Sequence, residues 1–187
     1  MTLSDDQHLI ETKVHSTEVF AGTLLRVRRD DILLPDGKPA TREFVVHPGA
    51  ALMVPVMADG RLILERQFRY PLHRVILEFP AGKIDAGETP LVTARRELIE
   101  EVGYTASTWR EIGTIHPQVG YSSEAIAVFE ATNLTHVGAQ LDDGEFLDVV
   151  LMTEAQLLAA VDAGEVTDGK TLAALLLWQR RGHSNRL

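Results

Sequence analysis

Gly82-Lys83-Ile84-Asp85-Ala86-Gly87-Glu88, seven further residues, and then Arg96-Glu97-Leu98-Ile99-Glu100-Glu101-Val102-Gly103 form the stretch on which the reading of this chain turns. Thr89 and Pro90 suit an N-cap and a first helical position, where the missing proline N–H costs nothing. Gly103 stands where a helix is commonly closed by a left-handed residue. A helix is therefore predicted over residues 89–102. Leu91, Ala94, Leu98 and Val102 line one of its faces at helical spacing. Glu97, Glu100 and Glu101 follow one another at i, i+3 and i+4 and share the neighbouring arc. One helix can thus bury one side and present three carboxylates on the next.

Three like charges so close repel one another, and a divalent cation is the natural remedy. Carboxylate oxygen is a hard ligand, which favours Mg²⁺, with Mn²⁺ as a substitute. No Cys or His joins the cluster, which argues against zinc. Arg96 precedes Glu100 by four residues and is placed to orient its carboxylate. Gly82 and Gly87 let the preceding loop turn sharply and approach a ligand, and Glu88 is placed to hold that loop against the helix. An acid-rich helix face is ordinarily just solvated. Here the Gly, Glu, Arg-Glu and Glu-Glu positions fall into place together, which an ordinary solvated face does not require.

Outward from the helix, residues 23–34 and 41–46 flank Pro35-Asp36-Gly37 and read as a β-hairpin. Residues 50–57 and 61–69 read as paired antiparallel strands, and 75–79 as another strand stopped by Pro80. Strand-like segments return at 109–115, 125–130 and 146–151. Thr153 with Gln156 forms a capping box for a helix ending at Gly164, and residues 168–181 form a last helix. The first dozen residues are polar and are expected to be loosely held. Strands with helices, without βαβ alternation, point to an α/β protein with a mixed sheet between helices. The expected organisation is a single domain over residues 1–187. Within it, residues 1–48 form an antiparallel β-hairpin region and residues 49–187 the core.

Of the 187 residues, 45% are hydrophobic and 24% charged, the balance of an ordinary globular protein. No run approaches the ~18 consecutive apolar residues of a membrane span, and the N-terminus lacks the basic start and apolar core of a signal peptide. A cytoplasmic protein without a membrane partner is expected. The net charge of −9 argues against nucleic acid as a partner. It does not argue against a small phosphorylated substrate, because a bound cation reverses the local field. There is no cysteine, which excludes disulfides, thiolate nucleophiles and cysteine-held zinc.

The pattern Gly-x5-Glu-x7-Arg-Glu-U-x-Glu-Glu-x-Gly-U, with U a bulky apolar residue, is met throughout, with Tyr104 aromatic where an aliphatic residue is commoner. By it the chain resembles the Nudix hydrolase superfamily. Gln67-Phe68-Arg69-Tyr70-Pro71 and Leu77-Glu78-Phe79-Pro80-Ala81-Gly82-Lys83 resemble its ADP-ribose pyrophosphatase (ADP-sugar diphosphatase) branch. So do Arg42-Glu43 with His47-Pro48-Gly49, and Asp143-Gly144-Glu145-Phe146. The resemblance extends over roughly residues 20–180. It implies the Nudix fold, an α/β/α sandwich, and Mg²⁺-dependent hydrolysis of a nucleoside diphosphate linked to another group. ADP-ribose going to AMP and ribose 5-phosphate is the first expectation. Another nucleotide sugar such as GDP-mannose, or a Nudix fold kept as a non-catalytic ligand-binding module, is the alternative.

Carried over by position, the resemblance implies that Glu97 and Glu101 are primary metal ligands with Glu100 beside them, and that Ala81 offers its backbone carbonyl to a metal. Glu145 is implied as the base or a further metal ligand, with Glu124 as its rival. Arg96 and Glu100 are implied to serve the catalytic centre. Arg69 is implied to contact the diphosphate or terminal ribose, and Glu43 to lie near the adenine. The branch typically forms homodimers by exchanging N-terminal strands. No tryptophan stands near those strands; Phe20, Phe44 or the Arg42 guanidinium is expected to replace it against the base.

Overall fold

The computed structural model describes residues 6–182. The chain divides into two compact units: residues 1–47 with 118–124, and residues 48–117 with 125–187.

The first unit is a three-stranded antiparallel sheet in the order β1-β2-β3, made of β1 (Thr12–Ala21), β2 (Arg26–Leu33) and β3 (Pro39–Val45). The Pro35-Asp36-Gly37 turn joins β2 and β3 as expected, with Gly37 at φ +81°. Lys38 N and Nζ both donate to the Asp36 carboxylate and lock the turn. β1 lies outside the predicted hairpin. All but one of its residues are exposed, so it carries no alternation to read. Of the first dozen residues, expected to be loosely held, 1–5 lie outside the described residues, Gln7–Leu9 form a 3-10 turn and Glu11 pairs with Arg42.

The second unit contains two sheets. β4 (Ala50–Pro55), β7 (Ala81–Lys83), β9 (Ile126–His136) and β8 (Tyr104–Ile115) make a four-stranded mixed sheet in the order β7-β4-β9-β8. β5 (Leu62–Arg69), β6 (Arg74–Glu78) and β10 (Leu147–Met152) form a three-stranded antiparallel sheet in the order β10-β5-β6. The predicted antiparallel pairing of 50–57 with 61–69 is corrected here. β4 runs parallel to β9 and antiparallel to β7, so both its edges are taken. Only the bridge Val56–Leu62 joins the two segments beside their turn. All six residues of β4 are buried, as befits a central strand covered on both faces.

α1 (Pro90–Glu100), α2 (Glu154–Asp162) and α3 (Gly169–Gly182) complete the unit. Alternate β4 residues feed two cores. Ala50, Leu52 and Val54 join Leu157, Leu175 and Trp178 of α2 and α3. Ala51 and Met53 join Ala94, Leu98 and Val102 of the α1 segment. Within this unit the sheet lies between helical layers, the expected α/β/α arrangement. The Thr153–Gln156 capping box is present on α2. Gly103 closes α1 at φ +76°. Its carbonyl accepts from Val137 and Gly138, and the Glu100 carbonyl accepts from Gln140. No described helix is long and apolar enough to cross a membrane.

Candidate active site

Thr89 caps α1 through its hydroxyl, which accepts from Val92 N. Burial of Ala94 and Leu98 then fixes the helix azimuth and turns the acidic arc toward the β7 loop. Arg96 is the hub. Its Nε and Nη2 donate to Glu88 at 3.0 and 2.9 Å, and its Nη1 donates to Glu97 at 2.7 Å and to Glu100 at 2.9 Å. The Thr93 hydroxyl adds a bond to Glu88 at 2.7 Å. The Arg96 guanidinium, helped by Thr93, holds the Glu88 carboxyl down to about 2, so it stays ionised as the clamp between loop and helix. Arg96 thus orients not only Glu100, as expected, but Glu97 and Glu88 too.

Gly82, in β7, faces Glu97 so closely that a Cβ there would lie 1.8 Å from Oε1. Ala81 precedes it at the start of the same strand.

Glu101 is buried, and its Oε2 has no hydrogen-bond partner. Glu65, in the middle of β5, is fully buried with both carboxylate oxygens unpartnered. Burial raises both groups well above the usual carboxylate range. Glu65 and Glu97 push Glu101 further up, and Glu78 does the same to Glu65. Burial also raises Glu97 against the pull of Arg96. Among the described residues no ready-made cage of three or more such side chains stands open for a metal; Arg96 occupies oxygens of Glu97 and Glu100. Yet an unpartnered oxygen on Glu101 beside Glu65 and Glu97 is a donor set of hard oxygens short of positive charge, which fits Mg²⁺ or Mn²⁺.

Arg69 and Glu145 approach the same region. Arg69 Nε donates to Glu78 Oε1 at 2.7 Å, and the Glu101 and Glu65 charges act on its guanidinium. Neither terminal nitrogen of Arg69 donates a hydrogen bond within the described residues. Glu145 Oε1 accepts from Gln67 Nε2 at 3.1 Å, and its charge reaches Glu65, Glu97 and Glu101. The structure therefore brings Arg96, Glu97, Glu100, Glu101, Arg69 and Glu145 into one region of the second unit, with Ala81 beside Gly82. Glu43 lies in the first unit, exposed on β3 opposite Arg29 of β2. Arg42 is paired with Glu11. Glu124 belongs to the first unit as well, with an oxygen 3.8 Å from His47 Nδ1.

Glu65 was missed in the sequence. The signal available was an acid directly after Leu62-Ile63-Leu64, where an unpaired charge is costly. Its burial has a pH consequence. The folded chain holds a proton on Glu65 more tightly than the unfolded chain does. The contribution of Glu65 to the stability of metal-free protein is therefore fullest below about 4.5 and falls as pH rises, until the folded-state group itself ionises near 8. Glu65→Gln should flatten this decline and leave the metal-free protein more stable at pH 8.5 by about 1–3 kcal/mol. Thermal melts in chelator at pH 5.5 and 8.5 decide it; identical pH profiles for variant and wild type would remove Glu65 as the source.

Residues 46–175 match the NUDIX domain model, and residues 11–45 match the nucleoside diphosphate sugar hydrolase N-terminal domain. An ADP-ribose pyrophosphatase of Bacillus subtilis is 39% identical over 169 residues, covering 89% of this chain and 91% of the relative. A methanol dehydrogenase activator of Bacillus methanolicus is 35% identical, covering 89% and 92%. A solved ADP compounds hydrolase superposes with a TM-score of 0.83 at 25% identity, over 95% of this chain and 97% of that one.

Proposed function

Because the chain belongs to the NUDIX family across residues 46–175, with a nucleoside diphosphate sugar hydrolase N-terminal domain before it, we propose that it hydrolyses the diphosphate of a nucleotide sugar. ADP-ribose is the first substrate, giving AMP and ribose 5-phosphate. The observation that carries the reading is the conjunction of unpartnered carboxylate oxygen on Glu101 with an Arg69 whose two terminal nitrogens are unbonded. One side calls for a cation and the other for an anion, and a metal-bound diphosphate supplies both.

Glu97 and Glu101, with Glu100 beside them and the Ala81 carbonyl, would hold Mg²⁺, or Mn²⁺ in its place. The cation supplies charge neutralisation at the diphosphate and acidifies a water. Arg69 binds the diphosphate through its two terminal nitrogens. Arg96 orients Glu97 and Glu100 so that their oxygens are set before substrate arrives. Glu145 accepts the proton of the attacking water, while a phosphorus–bridging-oxygen bond breaks and the leaving phosphate takes the bonding pair. Box acids that hold the cation would leave the proton acceptor to come from elsewhere, and Glu145 is the acid that reaches them from a separate loop. The exposed strands of the first unit suit exchange with a second copy in a homodimer, with Glu43 assigned to the nucleobase. A cytoplasmic location accords with such a metabolite substrate.

The test is a panel of ADP-ribose, GDP-mannose and other nucleotide sugars with Mg²⁺, read by phosphatase-coupled phosphate release and run in ¹⁸O water to mark the attacked phosphorus. ADP-ribose should lead, and excess chelator should abolish turnover. Glu145→Gln should lower kcat by about 10²-fold or more, and Glu124→Gln by much less. Full turnover in chelator, or no turnover of any nucleotide sugar, would overturn the reading. The reverse ranking of the two variants would move the base to Glu124.

A further inference from the structure

Glu78 is the penultimate link between the site and a helix that plays no part in the box. It ends β6, is almost fully buried, and spends its two oxygens on different cations. Oε1 accepts from Arg69 Nε at 2.7 Å, and Oε2 accepts from Lys170 Nζ. Lys170 lies in the first turn of α3. It is fixed by Asp168, whose Oδ2 accepts from Nζ at 3.0 Å and from Thr171 N at 2.9 Å. The Thr171 hydroxyl in turn accepts from Phe79 N at 2.9 Å, seating the start of α3 against the strand that leads to Ala81 and Gly82.

A half-buried lysine held this way is a poor device for stability alone, because desolvation offsets most of what the ion pair gains. It is a good device for geometry. A carboxylate left to itself takes an arginine by two parallel bonds, through Nε and one terminal nitrogen or through both terminal nitrogens. With Oε2 occupied by Lys170, Glu78 has one oxygen left for Arg69 and holds it by Nε alone. Both terminal nitrogens then stay available beside Glu101. We propose that Lys170 is the positioning residue that keeps Arg69 presented to a diphosphate, by holding the far oxygen of Glu78. The inference rests on the diphosphate reading of the site and adds to it a residue 74 positions beyond Arg96.

Steady-state kinetics of the full-length, Mg²⁺-loaded protein with ADP-ribose test it. Lys170→Met should raise KM by about 10-fold, with kcat within about 3-fold of wild type. Lys170→Arg should restore KM, since a second guanidinium can also hold Oε2. In an Arg69→Gln background, Lys170→Met should change KM by less than about 2-fold, because its target is gone. Should Lys170→Met fold poorly, Lys170→Gln carries the same expectations. An unchanged KM in the neutral variants, or an equal rise with and without Arg69, overturns the proposal. Calorimetric titration with methylenediphosphonate and Mg²⁺ separates it from the substrate assignment. If wild type turns over no nucleotide sugar yet binds this diphosphonate about 10-fold more tightly than Lys170→Met, the positioning role stands and the substrate reading falls. Equal binding by both proteins overturns the role.

Discussion

Glu101→Gln should abolish nearly all turnover, by about 10³-fold or more, without unfolding the protein. Glutamine keeps the size and the helix propensity of the side chain but removes the charge that a cation needs. The residue is buried beside Glu65 and Glu97, so replacing it also relieves like-charge repulsion in the metal-free state. The variant should therefore melt no lower than wild type in chelator, while the stabilisation that wild type draws from Mg²⁺ should shrink. This pairing of outcomes distinguishes a ligand from a structural acid. Near wild-type kcat with an unchanged circular dichroism spectrum would remove Glu101 from the metal assignment.

Gly82→Ala is the second large effect, and it works through one atom. The added Cβ would fall 1.8 Å from Oε1 and 1.9 Å from Cδ of Glu97. The obstacle is a side chain and not backbone, so the fold can yield by swinging Glu97 away. That swing breaks the bond from Arg96 Nη1 and takes a proposed ligand out of position. A displacement of about 1 Å at a reacting centre is enough for roughly a 10²-fold loss, and kcat should fall by about that much. Melting temperature should drop by only a few degrees. Activity within twofold of wild type would mean that the Glu97 position is not demanding.

The box was legible because every element of it is local. Caps, an apolar stripe and an i, i+3, i+4 acid set all fall within one helix, where spacing alone fixes direction. The role of Glu88 was legible too, since Arg96 lies two turns away on the same scaffold. What stayed hidden is non-local or unpatterned. β4 declared itself by an apolar run, but its pairing with β9 depends on residues some 75 positions later, which no period in the sequence encodes. β1 is exposed along almost its whole length, so the alternation that marks a half-buried strand is absent. Glu65 and Lys170 were hidden for a third reason. Lys170 looks ordinary in a helical first turn, and Glu65 carries only the faint local sign of an acid that follows three apolar strand residues. Their meaning appears only where β5, β6 and α3 meet.

The segment that carries Glu145 is anchored at both ends. Gly138 hangs from the Gly103 carbonyl just beyond α1, Gln140 from the Glu100 carbonyl at its end, and Leu147 of β10 is already paired with Gln67 of β5. Only residues 141–146 lie between these posts, and Glu145 is two positions from the second. At about 3.5 Å of chain per residue, its Cα can travel no more than roughly 7 Å from where the sheet begins. The acid therefore stays close to the sheet edge, and its N–H, bonded to the Asp142 carbonyl, folds residues 142–145 into one turn. The aim of the carboxylate is thereby set by the sheet edge two residues away and not by the slack of the loop.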